Sequence, residues 1–180
     1  MAREIITLTD PVTGATARLL PSVGCNCFQF QVLTSSGGVD VLWSEPGLEE
    51  EGDKRASGSG IPLLFPFPGR IAGTALEWDN RRYPLEPGDG RGNAIHGFVH
   101  ERAWRVQELE TNRVVAEFQA SRDDPQLLGR WPADFRITAI YALCAARLSA
   151  TYLLENPDQR ALPCGFGTHP YFRLPLGGSS

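Results

Sequence analysis

Several stretches of this chain carry an apolar side chain at every second position, and a polypeptide patterned in that way builds sheet rather than helix. Phe135, Ile137, Ala139, Tyr141 and Leu143 run two apart across nine residues, and Leu148, Ala150, Tyr152 and Leu154 repeat the pattern shortly afterwards. Earlier, Phe28, Phe30 and Val32 alternate with Gln29 and Gln31, while Val114, Ala116 and Phe118 alternate with Glu117 and Gln119. Successive strand side chains point to opposite faces, so each stretch turns one face to a core and the other to solvent. Nineteen glycines and 14 prolines punctuate these runs, implying short antiparallel connections. The expected fold class is all-β, an antiparallel β-sandwich. A single domain over 1–180 is expected, because no linker or internal repeat divides the chain.

Two segments break the alternation. Glu45 to Gly60 is polar and glycine-containing, and is expected to be a mobile loop. Ile61 to Arg70 is apolar yet carries three prolines, which remove ladder donors and stiffen the backbone, so it suits a pocket wall. Asp123 to Arg130 reads as the one helical turn, with Pro125 near its start and Gly129 near its end.

At 180 residues, 42% hydrophobic and 21% charged, the chain can bury a core without disulfide or metal support. No apolar run approaches the roughly 20 residues of a membrane span, and the first ten residues lack a secretory signal. A cytoplasmic location is expected. The net charge of −4, with Lys54 the sole lysine, gives no basic face for nucleic acid. Cys25, Cys27, Cys144 and Cys164 fit neither a disulfide framework nor a zinc spacing and are expected to be buried reduced thiols. Trp43, Trp78, Trp104 and Trp131 are mostly core candidates. No dinucleotide fingerprint, P-loop or nucleophile elbow occurs, so no nucleotide cofactor or serine nucleophile is expected.

The chemistry-bearing candidates are His96, in Asn93-Ala94-Ile95-His96-Gly97, and His169, in Gly167-Thr168-His169-Pro170-Tyr171-Phe172. Two imidazoles in one pocket can move protons near neutral pH. Each alone is more often a structural hydrogen-bonder. Arg70 closes the proline-rich segment and offers forked donors to hydroxyls or a carboxylate, although a surface arginine lying over apolar residues is its bland alternative. His96, His100, Glu101 and His169 could instead bind a metal in a cupin-like sandwich, with His100 and Glu101 otherwise rim loop residues.

The order of Gly60-Ile61-Pro62-Leu63-Leu64-Phe65-Pro66, Gly69-Arg70-Ile71, Asn93-Ala94-Ile95-His96-Gly97, Trp104, Trp131-Pro132-Ala133-Asp134-Phe135 and Gly167-Thr168-His169-Pro170-Tyr171-Phe172 resembles the aldose 1-epimerase (galactose mutarotase-like) family. That resemblance implies a large antiparallel β-sandwich binding a free hexose or hexose phosphate, with no metal or cofactor, and interconverting its α and β anomers. It implies His169 as the general acid, with His96 and Arg70 positioning the sugar. The glutamate that serves the family as general base belongs to a later segment and has no counterpart among Glu77, Glu101, Asp134 or Glu155. Leu176 to Ser180 reads as a loop entered and left open, so an incomplete sandwich, impaired catalysis and unpaired sheet edges are expected. A non-catalytic sugar-binding sandwich is the alternative.

Overall fold

The structure, a computed structural model, describes residues 3–50 and 55–174. Two four-stranded antiparallel sheets carry the fold. The first consists of β1 (Ile6–Thr9), β2 (Thr16–Leu20), β3 (Asn26–Thr34) and β4 (Gly37–Asp40), in that spatial order. Three two-residue strands and a hairpin follow: β5 (Leu63–Leu64), β6 (Arg70–Ile71), the hairpin β7 (Ala75–Trp78) and β8 (Arg81–Pro84), and then β9 (Ala94–Ile95). The second large sheet is β10 (Arg105–Leu109), β11 (Arg113–Gln119), β12 (Arg136–Cys144) and β13 (Arg147–Glu155), and the short β14 (Gly167–Thr168) comes last.

The alternation read from the sequence sets which side chains meet. β12 buries Ile137, Ala139, Tyr141 and Leu143 and turns the residues between them outward. Its partner β11 sets Val114, Ala116 and Phe118 opposite them. These side chains share one buried cluster with Ile6, Leu8, Ala17 and Leu19 of the first sheet, so the two sheets close a common core. Each fully buried Leu, Ile or Phe there contributes roughly 1.5–3 kcal/mol. Asp10 ties the sheets at one end, accepting hydrogen bonds from the Val12 N–H and Thr13 hydroxyl and from the Ala146 N–H of the β12–β13 turn.

Four expectations need correction. On β13, Ala150 and Leu154 are exposed although their alternation points them the same way as the buried residues of β12. β13 is the outermost strand, with β12 as its sole ladder partner among the described residues. The helical turn begins earlier than read: α1 spans Ala120–Asp123, and Pro125–Gly129 continues as a 3-10 turn. Pro125 disfavours helical backbone at Asp124, which takes φ −151 and ψ 79 and separates the two. Cys25 and Cys27 are buried, whereas Cys144 and Cys164 are exposed. Cys144 ends β12 on its outward side, and Cys164 lies outside any regular element. Trp104 and Trp131 are core residues, but Trp43 and Trp78 remain 39% exposed.

The polar loop is anchored at its described flanks. The Asn26 side chain, buried, donates to the carbonyls of Ala56 and Ser59 and accepts from the Ile61 N–H. The loop's central residues 51–54 and the Leu176–Ser180 ending lie outside the described residues.

Candidate functional site: two imidazoles and an arginine around one hollow

The proline-rich segment organises the site, because three distant parts of the chain dock onto it. Its Leu63–Leu64 strand pairs with β14, with Thr168 opposite Leu63, and the Pro62 carbonyl accepts the His169 N–H at 3.2 Å. Its Phe65 carbonyl accepts the Phe98 N–H at 2.8 Å. At its far end β6 pairs with β9, setting Arg70 opposite Ile95, while the Gly69 carbonyl accepts the His96 N–H at 2.8 Å. Prolines suit this work: they stiffen a strip of backbone that offers carbonyls and asks for few partners.

Around it lies a hollow of about 380 Å³, lined among others by Phe67, Arg70, His96, Phe98, His100 and Tyr171. That volume falls within the roughly 300–1,000 Å³ of small-molecule sites. His96 and Gly97 both take left-handed backbone, φ 67 and 71, which turns the chain sharply beside the wall. The rings of His96 and His169 stand 6.3 Å apart, centroid to centroid. His169 is exposed, and its ring lies 4.9 Å from that of Tyr171. The three residues singled out in the sequence therefore meet: Arg70 and His96 line the hollow, and His169 stands beside both His96 and the lining residue Tyr171.

Burial, seconded by the neighbouring His100, His169 and Arg70, holds the His96 imidazole below its ordinary pKa of 6.5. It is accordingly neutral at neutral pH. Its Nδ1 is shut off from solvent without a hydrogen-bond partner among the described residues, as is that of His100. Arg70 reaches outward, its side chain 56% exposed, and its Nε donates to Asp89 at 3.0 Å. Asp89 is in turn held by the Asn93 side chain and by the N–H groups of Asn93 and Arg91, and these bonds keep its carboxyl well below the usual carboxylate range. The glycine-rich stretch that is no nucleotide loop thus serves as a bracket aiming a guanidinium.

His100 is not a rim residue: it is 6% exposed, within a 3-10 turn Val99–Glu101, and its ring stands edge-on to His96 at 6.3 Å. Its Nε2 lies 3.5 Å from Glu101, whose side chain is exposed, and that contact lowers the Glu101 pKa. Among the described residues no group of three or more His, Cys, Asp or Glu side chains is arranged to hold a metal ion, so the cupin-like set does not assemble. Asp89, Tyr171 and the buried role of His100 escaped the sequence reading. For Tyr171 a signal existed, since two residues beyond His169 in an extended segment is the same face.

The sequence profile of the aldose 1-epimerase family matches residues 4–179. The chain belongs to the aldose 1-epimerase family. Two curated relatives from Escherichia coli strain K12 share sequence with it: the protein YphB, 25% identical over 112 residues, and YihR, 30% identical over 118 residues. These alignments take in 62% and 63% of this chain but 36% of each relative, so the chain matches little more than a third of their length. Among solved structures, the Slr1438 protein of Synechocystis sp. PCC 6803 superposes with a TM-score of 0.77 at 22% identity, over 96% of this chain and 55% of its own. The GalM/aldose epimerase homologue of C. elegans gives 0.70 at 23%, over 99% and 52%. The fold of this aldose 1-epimerase family member is therefore galactose mutarotase-like. Among its described residues, no helix is long and apolar enough to cross a membrane.

Proposed function

We propose that this protein interconverts the α and β anomers of a free hexose or hexose phosphate. The observation that carries the reading is that His96 and Arg70 line one hollow with the His169 ring 6.3 Å from that of His96, although up to 99 positions of sequence separate the three. Opening a cyclic hemiacetal needs a proton on the ring oxygen while another leaves the anomeric hydroxyl; the aldehyde then rotates and recloses on its other face. His169, as general acid, supplies the first proton. His96, neutral, exchanges a hydrogen bond with a ring hydroxyl, and Arg70, steadied by Asp89, donates to another. No metal or organic cofactor enters this scheme.

The general base of the family pattern has no counterpart among residues 1–180. In this reading it is not one of the lining carboxylates, because Glu101 contacts His100, Glu86 pairs with Arg130 and Asp89 is consumed by Arg70 and Asn93. In this reading residues 1–180 bind aldose. The engagement of the lining carboxylates also favours a second reading, a sugar-binding sandwich without catalysis.

Exchange NMR on freshly dissolved α-glucose and α-galactose separates the two. The expected result is a ring-opening rate above the buffer control, falling to the control in His169→Gln while sugar binding persists. Binding without acceleration supports the non-catalytic module, and no binding of any aldose or aldose phosphate refutes both.

A further inference from the structure

His100 and Glu101 line the same hollow as His96, and neither has a part in the proton transfers to and from the sugar. The turn that carries them is clamped on two sides. The Trp104 indole N–H donates to the Val99 carbonyl at 3.0 Å, and the Gly24 N–H donates to the Arg102 carbonyl at 2.8 Å. Gly24, with φ 64, runs so close that a Cβ there would stand 2.5 Å from the His100 carbonyl oxygen, so only glycine fits.

The placement of protons follows from the carboxylate inward. His100, with weaker help from Arg102 and Arg55, holds the Glu101 carboxyl below its usual range, so it is ionised at neutral pH. Its Oε1 lies 3.5 Å from His100 Nε2, and a carboxylate beside one nitrogen of a neutral imidazole holds the ring proton there. Nδ1 of His100 is then the lone-pair nitrogen. That atom is shut off from solvent without a partner among the described residues, and so is Nδ1 of His96. Of the two rings 6.3 Å from His96, His169 is exposed and His100 is buried, so His100 is the one that shares its sealed side. Where water is excluded the dielectric is low, and a lone pair there favours a neighbouring N–H over a second lone pair. His96 accordingly carries its proton on Nδ1. Because His96 lines the hollow while its Nδ1 is sealed, Nε2 is the nitrogen left to meet a ligand, and it is bare.

We propose that His100 and Glu101 are positioning residues that fix the tautomer of His96, so that its Nε2 is presented as a hydrogen-bond acceptor to an O–H of the sugar. This acceptor complements Arg70, which can only donate. The inference rests on the epimerase reading for the identity of the ligand alone.

Long-range proton–nitrogen NMR of the isotope-labelled full chain, at a pH of about 8.5 and so above the usual imidazole range, reads which nitrogen of each ring is protonated. Assignment comes from His96→Gln, His100→Phe and His169→Gln. The expected spectrum puts the proton on Nδ1 of His96 and on Nε2 of His100. Glu101→Gln, a change at an exposed side chain, should move His96 toward a mixture of forms and weaken aldose binding about three- to tenfold, with the urea midpoint unchanged. A His96 proton on Nε2 in the unaltered chain overturns the inference. So does weakened binding in Glu101→Gln with the His96 nitrogens unmoved, which makes Glu101 a sugar ligand in its own right. Neither result touches the epimerase reading. Absence of aldose binding overturns that reading, while the spectra, taken without sugar, still decide the tautomer.

Discussion

Replacing Gly97 by alanine tests the claim that the histidine hollow is built on a close backbone approach. The glycine takes φ 71, and a Cβ there would sit 2.1 Å from the Phe65 carbonyl oxygen, against the 3.4 Å at which ordinary contact begins. The two backbone segments must therefore part by about 1.3 Å, the difference of those distances. Parting breaks the 2.8 Å bond from the Phe98 N–H to the Phe65 carbonyl. Leaving a buried carbonyl unpaired costs about 1–3 kcal/mol, and holding alanine in left-handed backbone costs about 1–2 kcal/mol more. The expected loss is about 3 kcal/mol, which for a urea dependence of about 2 kcal/mol per M lowers the unfolding midpoint by about 1.5 M. Gly92→Ala is the control: its φ is 84, but a Cβ there would meet nothing within 4 Å, so about 1–2 kcal/mol is expected. Urea unfolding followed by tryptophan fluorescence reads both variants. A Gly97→Ala midpoint no lower than that of Gly92→Ala would refute the close-approach argument.

Because burial, seconded by the neighbouring His100, His169 and Arg70, depresses the His96 pKa below 6.5, the unfolded chain binds more protons than the folded one just below that pH. Stability should thus fall as pH drops from 6.5 toward the lowered folded value, and His96→Gln should flatten that slope in urea titrations between pH 7.5 and 5.5; an unchanged slope rejects it. Asn26→Ala removes a buried side chain that satisfies two carbonyls and one N–H, so a loss of about 3 kcal/mol is expected in the same assay, and a loss under about 1 kcal/mol means the polar loop is anchored otherwise. The outer edge of β13, uncharged from Leu148 to Leu154 and with Leu153 and Leu154 exposed, should self-associate; sedimentation should show concentration-dependent oligomers that Leu153→Lys suppresses, and a monomer at all concentrations would count against it.

Strand alternation was legible because it is a local property: whatever β12 packs on, Ile137 and Leu143 must point the same way. The candidate residues were legible for a different reason. His96 and His169 stand in short segments rich in glycine, proline and aromatics, where few side chains fit, and the family resemblance supplied their expected roles. The sequence was silent on pairings that exist by virtue of their partners. Two-residue strands such as β5, β6, β9 and β14 have no periodicity to read, and it is their ladders that bring Arg70, His96 and His169 together. Asp89 as the bracket for Arg70, the burial of His100, and the exposure of Cys144, Cys164, Ala150 and Leu154 likewise follow from what each residue finds beside it in space. Chain order determines which side chains share a face; the meeting of faces from distant segments decides what those side chains touch, and hence which imidazole loses its proton and which hollow a ligand can enter.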